Sequence, residues 1–99
     1  MTAFNVVRFK VKPGREQDFI DAHLNAEIDL PGFLHGTMID TGDNGYCFIG
    51  QWESPDHISR AEPLMVAILD TFRDTLEDLG NELGVTDPVS GEVVLDIET

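Results

Sequence analysis

Trp52 is the only tryptophan of the chain, and it stands where an apolar run, Tyr46-Cys47-Phe48-Ile49-Gly50-Gln51-Trp52, gives way to Ser54-Pro55-Asp56. Serine is a good N-cap, proline suits the first helical position and aspartate favours the positive helix end, so a helix is predicted to start there. A strand exit facing a helix start is where small-molecule pockets tend to open, and an indole at that lip supplies a wall and one N–H donor. Asn5 is the second polar group of interest, because it shares one face of a predicted strand with Val7, Phe9 and Val11. A buried, unpaired amide costs about 1–3 kcal/mol, so it needs a reason to be inside. Its chemical use would be to hold a substrate carbonyl or a developing oxyanion. The plain alternatives are packed aromatic mass for Trp52 and a backbone hydrogen bond at the strand start for Asn5.

Two histidines are candidate bases. His23 falls on or beside the apolar stripe of a predicted first helix and points toward the sheet, where it can accept a proton or simply serve as a hydrogen-bonded core residue. His35 on the second predicted strand is the other candidate, while His57, near a helix start, is expected to be solvated. No His-x-His, His-Glu-x-x-His or cysteine pair is present, so no metal site is expected. Asp40-Thr41-Gly42-Asp43-Asn44-Gly45 lacks the ligand positions of a calcium loop and reads as a hairpin turn. Cys47 lies mid-strand with no feature that would activate its thiol, and no serine sits in a nucleophile elbow.

The elements that must position these groups follow from periodicity. Ala3 to Lys12 alternates as a strand, Pro13-Gly14 stops it, and Phe19, Ile20, His23, Leu24 and Ile28 recur at helical spacing over 16–28. Residues 33–41 and 46–53 read as a hairpin around Gly42-Asp43-Asn44-Gly45. A helix from Pro55 is predicted to be interrupted at Pro63, and a second, long one follows, with Leu64, Ile68, Leu69, Phe72, Leu76 and Leu79 as its stripe and Gly80 as its cap. Residues 81–90 read as a loop and 89–97 as a last strand through Val93, Val94, Leu95 and Ile97.

Strand, helix, two strands, helix and strand pack most simply as an α+β ferredoxin-like βαββαβ fold, an antiparallel four-stranded sheet with both helices on one face. That leaves apolar residues such as Phe4 and Val6 on a bare face, and predicts a homodimer through it. The first and third strands are antiparallel neighbours in this topology, so Asn5 is predicted to lie near Trp52. Arg8, Lys10 and Lys12 share the opposite side of the first strand and are expected to pair with Glu92, Asp96 or Glu98 of the last one.

The 99 residues fit a single domain spanning 1–99, and 19 acidic against 6 basic residues leave a formal charge of -13. Such a charge repels nucleic acid and anionic lipid. One cysteine, no run of ~20 apolar residues and an N-terminus without a charged segment followed by an apolar one read as a cytoplasmic protein.

Val6-Val7-Arg8-Phe9-Lys10-Val11-Lys12-Pro13-Gly14, then Leu30-Pro31-Gly32-Phe33, then Gln51-Trp52-Glu53-Ser54 resemble, in order and spacing, the antibiotic biosynthesis monooxygenase superfamily of dimeric α+β barrels. The likeness spans nearly the whole chain. The family includes cofactor-free oxygenases of polyketide-type aromatics, quinol oxygenases and haem-degrading members, and it implies that Asn5 and Trp52 line the cavity between sheet and helices. Haem-degrading relatives share a histidine on the helix after the tryptophan; here His57 comes about one turn too early and Glu62 stands closer, so no haem and no other cofactor is expected. The resemblance thus implies a cofactor-independent monooxygenase of a small aromatic, quinol or polyketide-like substrate, with His23 or His35 as base. A non-catalytic ligand-binding module and an isomerase or cyclase on the same scaffold are the alternatives.

Overall fold

The computed structural model describes residues 2–26 and 29–98. The chain runs β1 (Ala3–Lys10), α1 (Glu16–Asn25), β2 (Phe33–Gly42), β3 (Gly45–Trp52), α2 (Pro55–Asp70), a single 3-10 turn (Arg73–Thr75) and β4 (Asp87–Glu92). The strands lie in the order β2-β3-β1-β4, every neighbouring pair antiparallel, which is the ferredoxin-like α+β arrangement. Asp43 and Asn44 both adopt left-handed backbone at φ 52° and 62°, giving the β2–β3 hairpin the two-residue turn whose twist matches its strands. Ser54 Oγ accepts from the His57 backbone N–H and starts α2 as its spelling predicts.

Alternation sorts the strands into two faces. Ala3, Asn5, Val7 and Phe9 of β1 stand opposite Trp52, Gly50, Phe48 and Tyr46 of β3 on the side covered by α1 and α2. Two apolar clusters form there, one of Phe9, Val11, Phe19, Phe72 and Leu76, the other of Ala3, Trp52, Ile58 and Ala61. The other face carries Phe4, Val6, Arg8, Ile49, Ile39 and Val89, with Ile39 and Val89 42% and 65% exposed.

Several boundaries differ from those the periodicity predicts. Pro63 does not interrupt α2, which continues through it to Asp70. The proline is exposed, while Ile58, Ala61, Met65, Ile68 and Leu69 hold both halves of the helix against the sheet. The predicted extension to Leu79 is absent: Lys12 N donates to Thr75 O, Glu77 N to Lys10 O, and Leu76 bridges Val11. The end of β1 recruits 75–77 as an extended segment, and this pairing outweighs the helical spacing of Leu76 and Leu79.

β4 likewise covers 87–92 rather than 89–97. Glu92 pairs with Ala3 and Val93 N with Thr2 O, where the pairing of the described residues ends, and Val94, Leu95 and Ile97 are 89%, 72% and 82% exposed. Pro88 is tolerated because β4 is an edge strand. This register places Asp87 opposite Arg8, not Glu92, Asp96 or Glu98. The predicted end of the first helix at Ile28 lies outside the described residues. Among those described, no helix is long and apolar enough to cross a membrane.

Candidate functional site

Between the two clusters lies a half-open, mostly apolar cavity of about 530 Å³, within the range of small-molecule sites. Asn5, Val7 and Phe48 contribute its floor, Trp52 and Phe33 one wall, and Ile58, Met65 and Leu69 of α2 its roof. Phe33 meets the Trp52 indole edge-on at 5.1 Å, a favourable aromatic arrangement at the strand exit.

The polar end is built from two strands. Trp52 Nε1 donates to Asn5 Oδ1 at 2.8 Å, joining residues 47 apart in sequence. An indole nitrogen can only donate, so this bond defines the amide orientation and turns Nδ2 elsewhere. Among the described residues Nδ2 meets only Met65 Sδ, at 3.9 Å, a weak acceptor. Asn5 is 6% exposed and Trp52 fully buried, so the bond is shielded from water and Nδ2 retains donor capacity at the cavity surface.

His23 forms the other end. Its Nδ1 lies 2.8 Å from the Phe19 carbonyl, and since a carbonyl only accepts, Nδ1 carries the proton and Nε2 the lone pair of the neutral ring. Phe72 and Phe19 pack against the ring at 4.3 and 4.7 Å. Burial lowers its proton affinity below the usual histidine range, and the bond to the Phe19 carbonyl offsets this only in part. His23 neighbours Phe9, which lies four residues from Asn5, or roughly 13 Å along the strand. The cavity therefore has a fixed amide donor at one end and a neutral, aromatic-walled imidazole at the other.

His35 is not brought to this site. It is exposed on β2, registered with Gln51 on the open face, and its Nε2 lies 3.2 Å from Thr37 Oγ1. His57 is half-buried rather than solvated: its Nδ1 is 2.7 Å from Ser54 Oγ, its Nε2 3.6 Å from Glu53, and its ring fills the space above Gly32. That arrangement caps α2 and ties it to the segment before β2, where Glu53 N donates to Gly32 O. Glu62 reaches the cavity margin but is exposed. Met65 is the contributor that the spelling of α2 did not mark; its spacing from Ile58 and Ala61 announces a core position, and a sulfur facing an amide has no separate signal. Among the described residues no group of three or more His, Cys, Asp or Glu is placed to hold a metal ion.

No protein-family profile matches the chain, and no curated protein matches it. Solved structures do. SnoaB, a cofactor-independent oxygenase from Streptomyces nogalater, superposes with a TM-score of 0.75 at 19% identity, over 99% of this chain and 98% of that one. A candidate antibiotic biosynthesis monooxygenase from Nitrosomonas europaea gives 0.72 at 15% identity, over 94% and 90%. MhuD, with two manganese protoporphyrin IX bound per active site, gives 0.65 at 19% identity, over 98% and 99%. The chain thus shares the fold of antibiotic biosynthesis monooxygenase proteins across nearly its full length.

Proposed function

We propose that this protein is a cofactor-independent monooxygenase of an electron-rich phenol, quinol or polyketide-like aromatic, working as a homodimer in the cytoplasm. The observation that carries the reading is the buried Asn5–Trp52 pair with an under-used amide donor, set in an apolar cavity that His23 also lines. In this scheme His23 Nε2 takes a proton from the substrate, and Asn5 Nδ2 stabilises the resulting oxyanion. The substrate anion is the reductant: it passes electrons to dioxygen, one oxygen atom enters the ring carbon as a carbonyl, and the other leaves as water with two hydrogens of the substrate, the one on that carbon and the hydroxyl (or enol) proton taken up by the base. The protein's task is to deprotonate, orient and exclude bulk water.

The presence of a titratable imidazole on the cavity lining favours this over a bare binding module, whose pocket needs no base. The apolar residues of the open sheet face support self-association through that face. Oxygen uptake and product mass with a panel of hydroquinones and anthrones test the assignment. Uptake with a gain of oxygen in the product, reduced in Asn5→Ala and Trp52→Phe, is the expected result. Turnover without oxygen gain points to an isomerase or cyclase, and binding without turnover to a ligand-binding module.

A further inference from the structure

Gly50 lies inside β3 between Ile49 and Gln51, buried, and directly opposite Asn5 in the β1–β3 register. Its φ is not in the left-handed region, so the backbone conformation there makes no demand for glycine. In a strand interior glycine is otherwise unfavourable, and where conformation does not require it, close approach of another group does. A Cβ built on Gly50 falls on the Asn5 amide oxygen, far inside contact distance, and lies 3.1 Å from Trp52 Nε1 and 3.0 Å from the Phe48 ring. The amide oxygen occupies the space that any other side chain would fill.

We propose that Gly50 is the positioning residue of the site: its missing side chain is the slot in which Asn5 Oδ1 lies flat across the neighbouring strand to meet the Trp52 indole, and this in turn presents Nδ2 to the cavity. The inference rests on the reading of the Asn5–Trp52 pair as the polar end of the site, but its test needs no substrate. Gly50→Ala is compatible with strand backbone, so the fold has no conformational reason to fail. The displaced amide then gives up the indole bond.

Trp52 supplies the only indole N–H resonance of the full-length chain, which makes the bond visible by NMR. In Gly50→Ala that resonance is expected to move toward the position it takes in Asn5→Ala, with N–H exchange roughly tenfold faster, as the loss of one buried hydrogen bond implies. Gly91→Ala, on β4 with nothing within 4 Å of the added methyl, is expected to leave it unchanged. In an Asn5→Ala background the Gly50→Ala change is expected to add far less than it does alone. An indole signal in Gly50→Ala identical to the native one overturns the proposal. Should Gly50→Ala fail to fold, refolding of the Asn5→Ala/Gly50→Ala pair supports it, and failure of the pair to fold overturns it. Either outcome is independent of whether the cavity consumes oxygen.

Discussion

The two faces of this sheet are made from alternate residues of the same strands, yet their polar groups behave in opposite ways. On the covered face Asn5 is buried and bonded to an indole, and His23 is packed among phenylalanine rings. On the open face Arg8, His35 and Thr37 are exposed, and so are the apolar Ile39 and Val89 of the same face, at 42% and 65%. A polar side chain becomes chemically useful here through dry, over-determined surroundings, since desolvation is what strengthens its hydrogen bonds and shifts its proton affinity.

That contrast can be broken most sharply at His23. Replacing it by Phe keeps ring mass while removing the base, and the proposed turnover is expected to fall by roughly 10²–10⁴-fold in steady-state oxygen uptake. The native rate should rise with pH to a plateau whose midpoint lies below 6.5, because burial disfavours the charged ring. Stability follows the same sign. With the folded affinity below the unfolded value, the folded state takes up the proton less readily; the His23 contribution is present above about pH 6.5 and is lost as pH falls below it toward the folded value. Denaturant titrations of His23→Phe across that window should lack this slope, and an unchanged slope would mean that the ring titrates freely.

Asn5→Ala comes next. It leaves the Trp52 N–H buried without an acceptor, so urea denaturation should show a loss of about 1–3 kcal/mol. The proposed turnover should drop by roughly 10²–10³-fold, the effect of removing one oxyanion donor. Wild-type stability in this variant would show that the pair contributes nothing to holding β1 against β3.

The open face sharpens the comparison with smaller effects. Ile49→Lys places a charge among Phe4, Val6 and Ile39 and is expected to shift sedimentation from the proposed dimer to a monomer, whereas His35→Ala should leave the proposed turnover unchanged and alter stability by less than about 0.5 kcal/mol. Loss of turnover in His35→Ala would bring the open face into the chemistry.

Much of this was legible from spelling. Ser54-Pro55-Asp56 announced the start of α2, because capping is a contact over three residues. The hairpin tip was legible in Gly42-Asp43-Asn44-Gly45, and alternation placed Asn5 with Val7 and Phe9. The ends of the later elements were not legible. Leu76 and Leu79 continue a helical stripe, yet the chain there joins the end of β1; Val93, Val94, Leu95 and Ile97 read as a strand, yet among the described residues the pairing ends with the Val93 N to Thr2 O bond. Both departures have one source: where an element stops depends on what lies next to it in space, and the segments involved are far apart in sequence.

The same division holds for the site. Residue order alone determined the βαββαβ arrangement and the proximity of Asn5 to Trp52, since strand count, connection lengths and handedness leave few ways to stack these elements. Only the tertiary structure decided that the indole donates to the amide oxygen, that His23 rather than His35 lines the cavity, and that Gly50 leaves room for the amide. Those outcomes turn on register and on displacements of an ångström or two, which are set by the packing of all the elements together and carry no local mark in the chain.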